Sequence, residues 1–244
     1  MLIINADDWG RSIPETDAAL ECVAAGRVTS VTAMVFMADS ERAARLALEA
    51  GVPVGLHLNL CEKFSGDAVP KDVAATQARV LGFLNSSKYA SLVYHPGLRH
   101  AFAQAYRDQL KEFERLYGKA PTHVDGHRHK HLSTNVLIDS VIPNGQKIRR
   151  GFFFWPHEKS FLNRSYRKLV DWCVMKRYRT TDYFFALSQC LEAPRLEKVL
   201  SLAKSSCVEM MCHPAKGTER GLLLGDDFGR ALATLTLGSY QQVP

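Results

Sequence analysis

The sequence predicts an α/β protein in which parallel β-strands alternate with covering helices, as a (β/α) barrel of about seven βα units. Strand-like and helix-like segments alternate regularly over roughly the first sixty residues, which is typical of parallel strands joined by helices. The side chains best suited to chemistry lie where predicted strands end. Because (β/α) barrels carry their sites at the carboxyl ends of their strands, this placement favours a barrel.

Length and composition indicate one domain spanning residues 1–244, without a linker or an internal repeat. Hydrophobic residues make up 46% of the chain and charged residues 23%, as in ordinary globular proteins. No segment has the roughly 18 consecutive apolar residues of a membrane span, and no export signal precedes the first strand, so we expect a cytoplasmic protein. The six cysteines lack CxxC spacing, which favours reduced thiols over disulfides.

Three strands and two helices alternate at the start of the chain. Apolar and β-branched residues mark the strands, Ser12 precedes the first helix, and Gly26 and Gly51 end the two helices. The predicted elements are a strand at 2–10, a helix at 13–25, a strand at 28–36, a helix at 41–50 and a strand at 52–60.

Residues 61–100 interrupt this alternation with several glycines and prolines, so we expect an irregular excursion there, suited to a substrate lid. A helix follows at 101–117, where Phe102, Tyr106 and Phe113 recur near a helical period. The remaining predicted elements are helices at 133–141, 161–175, 191–202 and 231–237 and strands at 148–154, 184–187 and 207–214.

Four of the nine histidines lie within residues 123–131, each at an odd position. In an extended strand, this period of two places all four on one face. Only Val124 is available there to fill a core, so we interpret the stretch as a strand end that runs into a loop. Four imidazoles on one face suit a metal site or a catalytic cleft.

Two other strands carry residues that can converge on the same cation. Asp7 and Asp8 end the first strand, and His57 lies in the third. Neighbouring residues of a regular strand face opposite sides, so the two aspartates cannot both point inward unless the backbone bends. We expect the turn at Gly10 to supply that bend.

Four sequence blocks, in order along the chain, resemble those of the YdjC-like carbohydrate deacetylase family. The blocks are Asn5-Ala6-Asp7-Asp8-Trp9-Gly10, Gly55-Leu56-His57-Leu58-Asn59-Leu60, Thr122-His123-Val124-Asp125-Gly126-His127 with His129 and His131, and Met211-Cys212-His213-Pro214. The resemblance implies a distorted, TIM-like (β/α) barrel. It also implies metal-dependent removal of an acetyl group from an N-acetylated sugar.

The resemblance further implies a role for individual residues. Metal ligands correspond to Asp8, His57 and His127. A general base corresponds to Asp7 and a general acid to His213.

Elementary chemistry supports the same activity without the resemblance. Amide hydrolysis at neutral pH needs a strong nucleophile, and a divalent metal with open positions lowers the pKa of bound water toward about 7. Two imidazoles and one carboxylate leave such positions open, and a second carboxylate can accept the proton. The cofactor expected is one divalent ion, zinc or magnesium, with zinc favoured because two ligands are nitrogen.

The substrate prediction rests on positive charge. Arg128 and Lys130 depart from the family pattern and add charge beside the expected cleft. Because arginine suits bidentate contact with phosphate, we expect the N-acetylated sugar to be carried on a phosphate-bearing group, with solvated surface charge as the alternative. The residues assigned to substrate binding are His129, His131, Arg149 and Arg150.

Other readings of the chain stay open. A metal-dependent phosphoesterase also uses acids and histidines, although no second cluster for a second metal is evident. Residues 147–179 have a local charge of +8 and, with their aromatic residues, allow a non-enzymatic binder of RNA or a membrane surface. Nucleic acid is the less favoured of these partners. The helix at 161–175 either covers the core with its long basic side chains or contacts a membrane. A homodimer is also allowed.

Overall fold

The computed structural model describes residues 1–155 and 158–244. Within them, the predicted α/β class and the parallel strand pairing are confirmed. The strands are β1 Leu2–Trp9, β2 Ser30–Ala33, β3 Val54–Leu58, β4 Val124–Gly126, β5 Tyr183–Ala186 and β6 Val208–Cys212. They form one parallel sheet in the order β4-β3-β2-β1-β6-β5, so that β1 lies near its centre.

Helices connect the strands and cover the sheet. They are α1 Ile13–Ala24, α2 Ser40–Ala50, α3 Lys71–Asn85, α4 Arg99–Tyr117, α5 Thr134–Ile138, α6 Phe161–Arg177, α7 Ala193–Ala203, α8 Gly217–Leu224 and α9 Asp226–Leu232. Gly51 and Gly118 end α2 and α4 in the left-handed conformation, which glycine adopts without steric cost. Over the part of the chain that the structure describes, no helix is long and apolar enough to cross a membrane.

The central strand is buried along its whole length. All eight residues of β1 are shielded from solvent, including the polar residues Asn5, Asp7 and Asp8. A strand that is buried on both faces of its sheet needs apolar residues on both faces, which Leu2, Ile3 and other residues supply. Buried acids at the end of such a strand need partners close by, because burying an uncompensated charge is costly.

The sheet curls into a half-barrel of six strands, and the seven βα units expected are not present among the described residues. Residues 148–154, predicted as a strand, form an irregular segment instead. Ile148 makes a single bridge to Val124 of β4, and the Phe153 amide donates to the Phe184 carbonyl of β5 at 3.0 Å. This segment therefore lies between the two edge strands without a regular ladder to either.

Two other regions differ from the prediction. The segment 61–100 contains the long helix α3, whose buried Val80 and Leu84 belong to the main core. Its glycines and prolines fall mostly outside the helix, so the segment is more regular than the irregular excursion expected from the sequence. Near the carboxyl end, α8 and α9 take the place of the single helical piece expected at 231–237.

Candidate active site

A β-bulge at the carboxyl end of β1 brings Asp7 and Asp8 to the same site. Between Ala6 and Trp9, β1 has one residue more than the facing part of β2. Asp8 has a φ of 64°, in the left-handed region that aspartate tolerates better than most residues. The bend expected at the Gly10 turn therefore lies at Asp8 itself, because an extra residue in the strand resets the alternation of side chains.

Asp8, His57 and His127 form a compact group at the ends of β1, β3 and β4. One ligand-type atom from each lies within 4.8 Å of the others. The Oδ1 atom of Asp8 is 3.4 Å from Nε2 of His57 and 3.0 Å from Nδ1 of His127. Metal–ligand bonds of about 2.0–2.2 Å place adjacent ligand atoms about 3.0–3.5 Å apart, so these three residues fit one divalent ion.

Asp8 is ionised in this setting. Burial acts to raise its pKa, but hydrogen bonds with His127 and His57 outweigh burial, and the pKa lies well below its ordinary value of 3.8. An ionised carboxylate with two imidazole nitrogens is a donor set typical of zinc and related ions.

A second carboxylate lies beside each histidine of this group, and that of Asp125 orients His57 by a hydrogen bond. The Nδ1–H of His57 donates to Oδ1 of Asp125 at 2.7 Å, which leaves Nε2 facing Asp8. The Nε2 atom of His127 is 3.0 Å from Oε2 of Glu62, but the two atoms make no hydrogen bond. A carboxylate that accepts a hydrogen bond from the ring, as Asp125 does, fixes the ring and its tautomer in metal sites. Sequence reasoning missed both acids, although Asp125 lies in the histidine-rich block itself.

Arg149 compensates the other carboxylates of the site. It is fully buried, and its Nη1 donates to Oδ2 of Asp7 at 2.7 Å and lies 2.7 Å from Oδ2 of Asp125. Its Nε donates to Oε1 of Glu209 at 2.8 Å. Burial acts to raise the pKa values of Asp7 and Asp125, but the guanidinium outweighs it and holds both pKa values below the ordinary range. Asp7, His57 and Asp125 also form a metal-like group, but Arg149 already supplies its positive charge.

Glu209 sits at the inner end of this network. Burial raises its pKa to about 7 despite the neighbouring Arg149, and the hydroxyl of Tyr240 donates to its Oε2. The ring of His123 stacks on Tyr240 with 3.7 Å between centroids. The carboxyl-terminal turn thus closes the base of the site, a role that the sequence did not suggest.

The histidine-rich stretch does not present one face. Strand β4 includes only Val124–Gly126, and residues 127–132 turn back with Arg128 and His129 in the left-handed conformation. The prediction that all four histidines lie on one face is therefore wrong. The period of two applies only to extended backbone, and the extended backbone ends at Gly126.

Of the four residues assigned to substrate binding, His131 and Arg149 are buried, and His129 and Arg150 are half-buried with partners inside the protein. His131 is buried with Nε2 3.0 Å from the Arg149 carbonyl, and His129 packs against Phe152. Burial lowers the pKa of His131 to about 4 and that of His129 to about 3, so both are neutral. Arg150 pairs with Asp171 at 3.0 Å.

These positions give no support to a phosphate contact. The Arg149 guanidinium is enclosed by three carboxylates and has no face left for a substrate anion. The sequence suggested that Arg149 lies in an exposed run of basic residues, whereas the structure buries it.

The cleft opens between the ends of β1 and β6. Asp7, Asp8 and His213 line a cavity of about 180 Å³, with Arg11 and Lys216 at its rim. His213 is partly exposed, and its Nε2 lies 3.9 Å from Oδ2 of Asp8, across the cleft from β3 and β4. Drug-sized pockets occupy about 300–1,000 Å³, so this cavity accepts one small group with the remainder of a ligand outside.

Acids and histidines that converge at the carboxyl edge of a parallel sheet define an α/β protein with a candidate metal-binding hydrolytic centre. The chain belongs to the YdjC-like protein family, whose model matches residues 1–237. The resemblance carried by the four sequence blocks is thereby confirmed.

Individual relatives agree with this assignment. The chain is 32% identical to the carbohydrate deacetylase of Mus musculus, over 87% of this chain and 77% of the relative. It is 28% identical to the chitooligosaccharide deacetylase of Serratia marcescens, over 88% and 81%. The fold is similar to a crystal structure of the Enterococcus faecalis V583 protein EF3048, with a TM-score of 0.65, 18% identity and coverage of 98% and 97%.

Proposed function

We propose that this protein is a metal-dependent hydrolase that removes the acetyl group from an N-acetylated sugar. The observation that carries the proposal is the group formed by Asp8, His57 and His127, whose ligand atoms lie within 4.8 Å of one another beside an open cleft. Relatives named carbohydrate deacetylase and chitooligosaccharide deacetylase, matched over most of their length, support the reaction class.

Asp8, His57 and His127 would hold one divalent ion, with zinc favoured over magnesium because two of the three donors are nitrogen. When bound, such an ion activates water at neutral pH and polarises the amide carbonyl. Asp125 supports the site by orienting the His57 ring through its Nδ1–H.

Asp7 is the proposed general base. It lines the cleft next to Asp8, and its pairing with Arg149 keeps it ionised and holds it in one orientation. A base must be deprotonated and within reach of the proton it accepts, and this ion pair secures the first condition.

His213 is the proposed general acid. Its ring lies at the opposite wall of the cleft from His57 and His127 and is partly open to solvent. Its backbone amide donates to Oε2 of Glu219 at 2.7 Å, which anchors the end of β6. A proton from the imidazole would leave with the sugar amine as the C–N bond breaks.

The position of Arg149 argues against the alternative of a metal-dependent phosphoesterase. Two-metal phosphoesterases need a second ion about 3.5–4 Å from the first. Of the two metal-like groups among the described residues, the one containing Asp7 and Asp125 is already neutralised by the guanidinium. The described site therefore favours one ion.

The test is acetate release from a panel of N-acetylglucosamine oligomers, a phosphorylated N-acetylglucosamine, and nucleotide- and lipid-linked N-acetyl sugars. We expect release from at least one substrate, abolished by chelator and restored by added zinc. Asp8→Asn should be inactive, whereas Asp227→Asn, a change at an exposed acid, should match the wild type. Absence of acetate release from every substrate with metal-loaded protein would overturn the proposal.

A further inference from the structure

Helix α6 turns large apolar side chains toward solvent. The exposed fractions are 79% for Phe161, 59% for Leu169, 51% for Trp172 and 51% for Met175. These positions fall on one side of a helix of 3.6 residues per turn, opposite the buried Val174. A contiguous apolar surface of this kind on a folded protein indicates an interaction site.

The same side of the helix is basic. Lys168 and Lys176 are exposed there, and the Lys176 ammonium lies 3.9 Å from the centre of the Trp172 ring. Asp171, the single acid of α6, faces inward and pairs with Arg150. The outward side therefore combines apolar and positively charged groups without a compensating carboxylate from the helix.

A basic cleft adjoins this surface. It has a volume of about 380 Å³ and lies between α6 and the segment Phe152–Phe154. Arg164, Arg167 and Lys168 line it, and the Arg167 guanidinium stacks 4.9 Å from the Phe154 ring. Arg150 and Asp171 also line the cleft and pair with each other, which leaves three cations around an aromatic floor. This lining suits an anionic head group attached to an apolar tail.

The charge pattern distinguishes between occupants. A second copy docked through the same face by a two-fold axis would bring the lysines and arginines of both copies together, which is unfavourable. An anionic bilayer satisfies both properties at once, because its head groups attract the basic residues and its acyl boundary accepts the apolar ones. At 17 residues, α6 is about 25 Å long and would lie in the plane of the interface.

We propose that α6 docks the protein on an anionic phospholipid membrane, with Phe161, Leu169, Trp172 and Met175 inserted at the head-group boundary. The basic residues of the helix and of the adjoining cleft bind the lipid phosphates. This contact is independent of the deacetylase activity proposed above.

Flotation of the full-length protein with vesicles tests the proposal. Vesicles of phosphatidylcholine mixed with phosphatidylserine should bind the wild type, whereas pure phosphatidylcholine should not, and raised salt should weaken binding because it screens the charges. Wild-type protein that fails to bind the anionic vesicles, or that binds both kinds equally, would overturn the proposal without any variant.

Two variants locate the surface. Each lysine near an anionic surface contributes about five-fold to partitioning, so Lys168→Gln with Lys176→Gln should weaken binding by about 25-fold. Lys111→Gln with Lys119→Gln, a pair of exposed lysines around the end of α4, is the matched control and should bind as the wild type does. Trp172→Ala should also weaken binding. Equal loss in both lysine pairs would contradict docking through α6.

Analytical ultracentrifugation separates the competing occupant. If a second copy covered α6, the wild type would sediment as a dimer and Leu169→Asp as a monomer. That result would overturn the membrane proposal, whereas no change in sedimentation on this substitution agrees with it.

Discussion

His57 lies between two sets of acidic side chains, Asp8 on one side and Asp7 with Asp125 on the other. The negative charge of the two sets is balanced in different ways. Asp8, with His57 and His127, faces the open cleft, and its nearest arginine atom is Nη1 of the partly exposed Arg11, 3.7 Å from its Oδ2. Asp7, Asp125 and Glu209 lie behind it and surround the buried Arg149 at 2.7 Å. Similar carboxylates therefore occupy two environments, one closed around a buried arginine and one open to the cleft and suited to a bound ion.

This difference shows how adjacent residues of one strand take separate roles. The bulge at Asp8 rotates that side chain toward the histidines, while Asp7 remains paired with Arg149. A carboxylate held by a fixed guanidinium stays ionised and immobile, as a base should. A carboxylate that faces two imidazole rings at an open cleft can bind a cation.

The largest expected effect comes from removing the charge of Asp7. Asp7→Asn should keep the metal and reduce turnover by about 10²–10⁴-fold, since a general base typically contributes that much. His57→Ala should lose both metal and activity, because His57 is one of the three proposed metal ligands. Elemental analysis and steady-state kinetics measure the two quantities. Nearly full activity of Asp7→Asn at saturating metal would rule out the role of base.

The second effect concerns the arginine behind the cleft. Arg149→Met leaves three buried carboxylates without their cation and should lower the free energy of unfolding by about 3–5 kcal/mol. Arg115→Met, at an exposed pair with Glu112, should cost about 1 kcal/mol or less. Urea denaturation of the two variants compares them directly. Equal losses would show that burial of Arg149 has no energetic consequence.

A third effect appears in the pH dependence of stability. The pKa of Glu209 is raised from 4.5 to about 7, so the folded state binds its proton more tightly than the unfolded state does. The contribution of this residue to stability should fall by about 3 kcal/mol as the pH rises through that window. Glu209→Gln should remove this fall, and Glu41→Gln, at an exposed acid, should retain it. Parallel curves for the wild type and Glu209→Gln in urea denaturation would contradict the raised pKa.

The smallest of these effects concerns the acid that orients His57. Asp125→Asn keeps the size of the side chain but weakens its hold on Nδ1–H, and metal affinity should fall about 10–100-fold. Competition with a chromogenic chelator measures this affinity. Glu62→Gln is the comparison, and it should lower the affinity less, because Glu62 makes no hydrogen bond to His127. Unchanged affinity of Asp125→Asn would show that the His57 ring is oriented by packing alone.

The sequence by itself determined the α/β class, the type of most helices and strands, and the positions of the residues now found around the cleft. Hydrophobic periods of two and 3.6 are local properties, so the strand at β1 and the helices α1, α2, α4 and α6 could be predicted from neighbouring residues alone. The convergence of the Asp7–Asp8 pair, His57 and the histidine-rich stretch followed from their positions at predicted strand ends, and the family resemblance singled out Asp8, His57 and His127 among them.

Only the tertiary structure decided which of these residues face each other. Arg149 lies in a run of basic residues that the sequence suggests is at the surface, yet it is buried. Its partners Asp7 and Glu209 are 142 and 60 residues away along the chain, and only folding brings them to it. The bulge at Asp8 depends on pairing with β2, and no local pattern records that register. Charge compensation in a buried site is a long-range property, since the cost of desolvating a guanidinium is offset only by carboxylates that folding brings to it.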